Sequence, residues 1–198
     1  VCRIFHQDGA WAQVVSCFEY EKALYNNVPG SKIIFNGPDK TEHDLIKAAK
    51  NDSLIHIDHY DELYTLIRLS EENGLKPRVA IRVNMDTGIY PKWDRFGFNF
   101  ENGQAWNALT RIINSPVLRL AGIHCHIGTF MLSANAYTIA ARNLCELAWS
   151  IKERFGIMVD YLDLGGGFPS TNTLKGAYLP RTDTVPSIDQ FADAITDV

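Results

Sequence analysis

The alternation of short β-forming runs with longer segments of helical period constrains the fold of this chain more than any other feature. It is typical of βα units around a parallel sheet, because each helix covers a face of its flanking strands. Apolar residues repeat at three and four positions between the runs, as in residues 60–69 and 137–151. Six strands are predicted, at residues 12–16, 32–36, 54–58, 78–84, 120–127 and 161–164. The expected fold class is α/β, with the strands parallel and in sequence order.

Helix start signals separate several of these strands. Thr41, Ser133 and Ser187 have side-chain oxygens that accept backbone N–H groups in a first helical turn. Asp44 supports the first of these caps, and Gln190 completes a capping box at the last. We therefore predict that helices begin directly after these three positions.

The chain is shorter than its pattern demands. It has 198 residues, against the roughly 250 of a complete eight-stranded (β/α) barrel. The segment from Ser187 begins a helix that reaches Val198 without a stop signal, and residues 1–7 resemble the last turns of a helix that ends at Gly9. No linker divides the sequence. We expect residues 1–198 to form one incomplete TIM-type barrel domain with about six of eight parallel strands, lacking the first and the last.

Composition excludes several classes of function. The chain is 46% hydrophobic and has a formal charge of −4, with no stripe of Lys and Arg, so nucleic acid is not an expected partner. No run approaches the roughly 18 apolar residues of a membrane-spanning helix. Residues 1–8 also lack the charged start and apolar run of a signal peptide, which favours a cytoplasmic protein. The four cysteines form no Cys-x-x-Cys pair, which favours reduced thiols. These are Cys2, Cys17, Cys125 and Cys145.

Two histidines end the fifth predicted strand. Alternation along a strand places His124 and His126 on one face and Cys125 on the other. Two histidines at this spacing are consistent with the zinc site of a barrel hydrolase, or with one hydrogen-bonded core histidine and one functional or packing histidine. A metal would need further ligands, for which other strands offer His56, Asp58 and Asp163.

A glycine triplet follows the sixth predicted strand. Gly165, Gly166 and Gly167 let the backbone approach a ligand closely and direct consecutive N–H groups at an anion. The segment lacks the Lys and Ser/Thr of a nucleotide-binding P-loop. It is consistent with a phosphate site or with a tight turn, and its place after a late barrel strand favours phosphate.

The fourth predicted strand carries two polar residues on one face. Arg82 and Asn84 are consistent with a ligand site or with an ion pair inside the barrel. Arg95, in the loop that follows, either anchors a lid or belongs to an aromatic-packed loop.

Seven short segments in this order resemble the pyridoxal-phosphate decarboxylases of the alanine-racemase-like barrel type. The similarity is greatest to diaminopimelate decarboxylase and its relatives that act on ornithine, arginine and carboxynorspermidine, and it covers nearly the whole chain. The segments are VVS at 14–16 with Glu19, IIFNGPDKT at 33–41, ID at 57–58 with Glu62 and Leu63, IRVN at 81–84, RFG at 95–97, GIHCHIGT at 122–129 and LDLGGGFP at 162–169.

The resemblance implies a role for each matching residue. It makes His126 a catalytic-site residue that stacks on the pyridine ring of pyridoxal 5'-phosphate. It implies that Thr129 donates a hydroxyl near the cofactor and that Arg82 points into the barrel beside it. The cofactor phosphate would be bound by backbone N–H groups of Gly165, Gly166 and Gly167. The implied substrate is a basic or diamino acid, and the implied assembly is a homodimer.

Parts of the family's machinery are expected to lie outside this sequence. They are the lysine that binds the cofactor covalently, a later active-site loop and a C-terminal β domain. The lysines present are predicted at a strand start, on helix surfaces or in loops. Two alternatives remain open at this point: a metal-dependent barrel hydrolase that uses His124 and His126, and a protein that binds pyridoxal phosphate without catalysis.

Overall fold

A parallel sheet forms the centre of the protein. The computed structural model describes residues 2–170 and 185–198. Its strands are β1 (Ala12–Val14), β2 (Ile33–Phe35), β3 (Leu54–Ile57), β4 (Arg78–Asn84), β5 (Phe98–Asn99), β6 (Arg119–Cys125) and β7 (Tyr161–Asp163). The sheet order is β1-β2-β3-β4-β6-β7, and every pair is parallel. The six-stranded α/β prediction is confirmed, and the sheet forms part of a TIM-type barrel.

The strand ends differ slightly from the prediction. Five of the six strands end one or two residues earlier than the apolar pattern indicates. The short strand β5 was not predicted. It pairs in parallel with the end of β4, where Val83 lies opposite Phe98.

Helices cover the outer face of the sheet. In the described residues they are α1 (Cys2–Gln7), α2 (Cys17–Tyr25), α3 (Glu42–Lys50), α4 (Tyr60–Asn73), α5 (Gln104–Ile113), α6 (Ala134–Phe155) and α7 (Ile188–Thr196), with a 3-10 turn at Gly30–Lys32. The predicted caps at Thr41 and Ser187 are confirmed, and both form complete capping boxes. Ser133 occupies the N-cap position of α6 as predicted, but its side chain makes no capping hydrogen bond.

The core lies between the helices and the outer face of the sheet. Ile55 and Ile57 of β3 point into it, as does Cys125 of β6, which is fully buried among apolar residues. The intervening residues of the same strands, His56 and His124, face the inside of the barrel and are also buried. The predicted alternation around Cys125 is therefore confirmed. Burial of these strands on both faces is typical of a parallel sheet, because both of its faces are shielded from solvent.

The carboxyl ends of all these strands meet at one edge, where active sites of barrel enzymes lie. Because β6 and β7 are parallel neighbours, the loops that follow them lie side by side at this edge and position the site described next.

None of the described helices is long and apolar enough to cross a membrane.

Candidate functional site

Polar side chains line the inner face of the sheet toward its carboxyl edge. Because β2, β3, β4, β6 and β7 are neighbours in that order, their inward residues converge although they are distant in sequence. The buried or half-buried members are Asn36, His56, Asp58, Arg82, Asn84, His124, His126, Tyr161 and Asp163. Both the histidine pair and the start of the glycine triplet belong to this region.

The structure brings His126 and the glycine triplet together. A Cβ atom added to Gly165 would lie 3.3 Å from Cβ of His126 and 2.6 Å from the carbonyl oxygen of Cys125. Gly165 has a φ of +62°, a left-handed conformation that only glycine adopts without strain. The turn after β7 therefore packs directly on the segment after β6, which a side chain at position 165 would prevent.

The second contact of the turn is made by Gly167. With a φ of +112°, it approaches Gly128 so closely that an added Cβ would lie 2.1 Å from the Gly128 carbonyl oxygen. The Gly167 carbonyl accepts the N–H of Met131 at 2.9 Å, and the Tyr137 hydroxyl donates to the Gly166 carbonyl at 3.3 Å. No atom of the described residues lies within 4 Å of a Cβ added to Gly166. In this part of the chain, the triplet is thus in contact at Gly165 and Gly167 and has open space at Gly166.

A buried carboxylate fixes the beginning of the turn. Asp163 accepts the N–H of Gly165 at 2.7 Å, and its other oxygen lies 3.0 Å from Nδ1 of His124. Burial alone would raise the pKa of Asp163, but hydrogen bonds from His124 and Gly165 outweigh it and hold the pKa at about 2. Nε2 of His124 lies 3.0 Å from the amide nitrogen of Asn36. Asp163 is therefore ionised at neutral pH.

The metal interpretation of the two histidines meets an obstacle here. In the described residues the group suited to a metal is His56, His124 and Asp163, and it does not include His126. Nε2 of His124 lies 3.0 Å from the Asn36 amide nitrogen and Nε2 of His56 lies 2.8 Å from the Tyr161 hydroxyl, while Nδ1 of both rings has no aligned hydrogen bond in the described residues. The group suited to a metal therefore lacks one of the two predicted histidines, and each histidine in it already uses Nε2 in a hydrogen bond.

Arg82 and Asn84 have separate tasks. The Arg82 guanidinium lies 3.8 Å from the Asp58 carboxylate and 5.0 Å from the centre of the Phe96 ring. Asn84 donates at 2.9 Å to the carbonyls of Phe96 and Gly97. Arg82 thus faces the interior near a carboxylate, as the ion-pair interpretation expects, and its role toward a ligand stays a prediction. The loop after β4 is fastened to the sheet by Asn84.

Thr129 lies apart from these contacts. It is exposed in the loop after β6, and its hydroxyl makes no hydrogen bond with the residues that the structure describes. Its neighbour Gly128 is the residue that contacts Gly167. Thr129 is therefore beside the glycine turn.

The His126 ring is half-buried and electrically neutral at pH 7. Burial lowers its pKa, and the nearby Arg82 guanidinium lowers it further. Trp93, from the loop after β4, meets the ring edge to face at a centroid distance of 6.1 Å. His126 thus offers a flat, uncharged aromatic surface at the carboxyl edge of the sheet.

Lys40 is a residue of this edge that the sequence pattern did not single out. The loop position was predicted correctly, but the burial was not: Lys40 is the one buried lysine among the described residues. Its Nζ lies 2.5 Å from the Glu62 carboxylate and 2.9 Å from the carbonyl oxygen of His56, and also contacts the Gly37 carbonyl. Glu62 in turn accepts the N–H of Asp58. The available signal was Glu62, an acid in the first turn of α4, the helix that follows β3.

The buried histidine His56 makes stability depend on pH. Burial and the neighbouring His124 place its pKa well below the usual range. Below the unfolded value of about 6.5, the unfolded chain therefore binds a proton that the folded chain rejects. We expect the free energy of unfolding to fall as pH drops from 7 to 5, by at most about 1.4 kcal/mol per pH unit for this group. Urea unfolding should show a shallower pH dependence in His56→Gln, and an unchanged slope would contradict this.

Known proteins resemble this chain over nearly its whole length. Residues 1–195 match the family model described as "Pyridoxal-dependent decarboxylase, pyridoxal binding domain". Diaminopimelate decarboxylase of Methanocaldococcus jannaschii is 29% identical over 98% of this chain and 45% of its own length. The Aquifex aeolicus enzyme is 31% identical over 96% of the chain and 45% of its own length. The chain thus spans less than half the length of these curated relatives.

Solved structures show the same relationship. A crystal structure of the M. jannaschii diaminopimelate decarboxylase superposes with a TM-score of 0.85 at 27% identity, covering 98% of this chain and 45% of the other. A lysine/ornithine decarboxylase from Vibrio vulnificus, at 23% identity and a TM-score of 0.76, covers 98% and 48% and shares the fold. With the family model matching almost every residue, the chain belongs to the pyridoxal-binding domain family of the pyridoxal-dependent decarboxylases.

Proposed function

We propose that this chain is the cofactor-binding part of a pyridoxal-phosphate-dependent decarboxylase that acts on a basic or diamino acid, with diaminopimelate as the first candidate. The observation that carries the proposal is the contact between His126 and the glycine turn at the carboxyl edge of the sheet. An aromatic surface and an anion-binding backbone then lie side by side, as a phosphorylated aromatic cofactor requires.

The glycine turn fits a phosphate group. Gly166 has open space above its Cα, so a phosphate oxygen can approach the backbone there. Gly165 already donates its N–H to Asp163, which leaves Gly166 and Gly167 as the backbone donors that we assign to the phosphate. Gly165 contributes by its shape, because only a glycine permits the contact with His126.

The residues around the turn fit the ring of the cofactor. A neutral, half-buried His126 can stack on a pyridine ring without placing a second positive charge beside it. Arg82 supplies a positive charge close by, and Thr129 supplies a hydroxyl in the loop after β6. These are the residues that would hold the cofactor.

Bound there, pyridoxal phosphate would act as the electron sink for the bond broken when carbon dioxide leaves. The role of this chain is to bind the cofactor and to orient its ring. The glycine turn fixes one end of the cofactor, and His126 limits tilting of the ring. Asn84 keeps the loop after β4 close to the sheet, which restricts water at the same edge.

The substrate class rests on the relatives, which are named for diaminopimelate and for lysine or ornithine. A homodimer and a cytoplasmic location are parts of the same proposal. The location is supported by four free thiols, one of them buried, as expected in a reducing compartment.

The test uses the product of the full reading frame. We expect it to bind pyridoxal phosphate with a visible absorbance band and to release carbon dioxide from diaminopimelate faster than from lysine, ornithine or arginine. Binding without release of carbon dioxide from any of the four would identify a non-catalytic cofactor-binding protein. An absence of cofactor binding would contradict the proposal.

We expect the isolated 198-residue chain to show no decarboxylase activity. Nζ of its buried lysine, Lys40, is engaged by Glu62 and two carbonyl oxygens, so it is not free to react with the cofactor. Borohydride reduction in the presence of pyridoxal phosphate should therefore modify no single lysine stoichiometrically. Mass spectrometry that found one fully modified lysine, together with turnover, would contradict this expectation.

A further inference from the structure

A line of buried polar side chains crosses the inside of the sheet and ends on the glycine turn. It begins at Asn36 after β2, passes through His124 of β6, and reaches Gly165 through Asp163 at the end of β7. Between β2 and β6 the sheet places two other strands, β3 and β4. The line therefore connects strands that the backbone ladder does not pair directly.

Two of the three links are aligned hydrogen bonds, and the third is a close contact. The Asn36 amide nitrogen faces Nε2 of His124, so Nε2 is an acceptor and the ring carries its proton on Nδ1. Nδ1 lies 3.0 Å from the ionised Asp163 carboxylate, although its N–H is not aligned with the carboxylate oxygen. The other carboxylate oxygen accepts the Gly165 N–H at 2.7 Å. The donors at the two ends of the line, the Asn36 amide and the Gly165 N–H, therefore both point inward.

The surroundings keep these groups from reorienting. His124 is 1% exposed, so water does not compete for its nitrogens. The His56 ring packs against the His124 ring at a centroid distance of 4.8 Å, and His56 is itself held by Tyr161. Tyr161 occupies space that only Gly122 leaves free, since a Cβ added there would lie 2.3 Å from the tyrosine ring.

We propose that Asp163 is a positioning residue, oriented by His124 and Asn36, that draws the Gly165 N–H inward and thereby presents the N–H groups of Gly166 and Gly167 to the phosphate of the cofactor. The inference rests on the proposed function, because it assigns the glycine turn to a phosphate. Asp163 does not touch the cofactor. Its carboxylate acts through the backbone of the turn.

The first test is the variant Asp163→Asn in the full-length protein. It keeps the shape and one acceptor oxygen, but its new amide nitrogen faces Nδ1–H of His124, donor against donor. We expect affinity for pyridoxal phosphate to fall about tenfold, because a charge-assisted hydrogen bond is roughly twice as strong as a neutral one. Affinity for pyridoxal, which has no phosphate, should change less than about threefold.

A second substitution should restore the line with its direction reversed. In Asn36→Asp combined with Asp163→Asn, the new carboxylate at position 36 accepts Nε2–H of His124. Nδ1 can then accept the amide at position 163, whose oxygen stays on Gly165. Affinity for pyridoxal phosphate should return to within about threefold of the original protein.

Tyr161→Phe is the matched control. It removes a buried hydrogen bond to His56 in the same interior but none to Asp163 or Gly165. Its melting temperature should fall while both affinities stay within about threefold of the original values. A purely structural role of Asp163 would make Asp163→Asn behave like this control.

Nitrogen-15 NMR of the cofactor-free protein tests the line without any ligand. His124 should carry its proton on Nδ1, and in the double variant on Nε2. A proton on Nε2 in the original protein would overturn the inference. So would unchanged affinity for pyridoxal phosphate in Asp163→Asn, or an equal loss for pyridoxal. If the original protein bound no pyridoxal phosphate, the proposed function would fail, whereas the His124 proton would still decide whether the line exists.

Discussion

Replacing Lys40 with methionine is expected to lower the free energy of unfolding by about 3–5 kcal/mol. The lysine side chain is completely buried and the Glu62 side chain is 3% exposed, so the variant leaves a carboxylate with no counter-ion and almost no water. Two carbonyl oxygens, of Gly37 and His56, also lose their donor. These contacts tie the ends of β2 and β3 together, and urea unfolding at pH 7 measures the loss.

Two further variants show whether burial causes the effect. Lys47→Met breaks an ion pair with Glu21 in which both side chains are partly exposed, and should cost less than about 1 kcal/mol. Lys40→Met combined with Glu62→Gln should recover part of the loss, since no unpaired charge remains. Equal losses of unfolding free energy for Lys40→Met and Lys47→Met would show that burial does not make the Lys40–Glu62 pair more important for stability than an exposed pair.

Replacing Gly167 with alanine is expected to weaken binding of pyridoxal phosphate on the order of 100-fold, since two charged hydrogen bonds of about 1.5–3 kcal/mol each are disturbed. The new Cβ would lie 2.1 Å from the Gly128 carbonyl oxygen, a contact that forces backbone to move. The φ of +112° adds strain of about 1–3 kcal/mol for a residue with a side chain. Titration of the full-length apoprotein with the cofactor measures the change.

Gly166→Ala provides the matched control one residue away. A Cβ at Gly166 meets nothing within 4 Å and its φ is not positive, so the variant should fold normally and keep the turn in place. Cofactor affinity should fall much less than in Gly167→Ala, by about tenfold or less if the methyl group crowds the phosphate. If both variants bound the cofactor as tightly as the original protein, the turn would not be the phosphate site.

The strands and several helix starts follow from local sequence. β4 was predicted with its observed bounds, because a short apolar run between turn residues is typical of a buried strand. The caps at Thr41 and Ser187 depend on contacts three residues apart, which a sequence displays directly. Ser133 has the right residue type at the right position but makes no such bond, since residue type does not determine side-chain direction.

The polar interior could be predicted only in part. Strand alternation placed His124 and His126 on one face, and the resemblance selected His126 and the glycine triplet as a pair. That His124 binds Asn36, 88 positions away, and that Lys40 is buried against Glu62 depend on which strands become neighbours. No local pattern distinguishes a lysine that is paired in the interior from one in a solvated loop.

The sequence alone determined the alternation of strands and helices, the parallel order of the sheet and the residue types at its carboxyl edge, because these depend on side-chain period and turn chemistry along the chain. Tertiary structure decided which ring nitrogens are occupied, that Gly165 gives its N–H to Asp163, and that Gly166 is open while Gly167 is not. Those outcomes depend on distances of a few tenths of an ångström between residues of different strands, and only the packed sheet sets such distances.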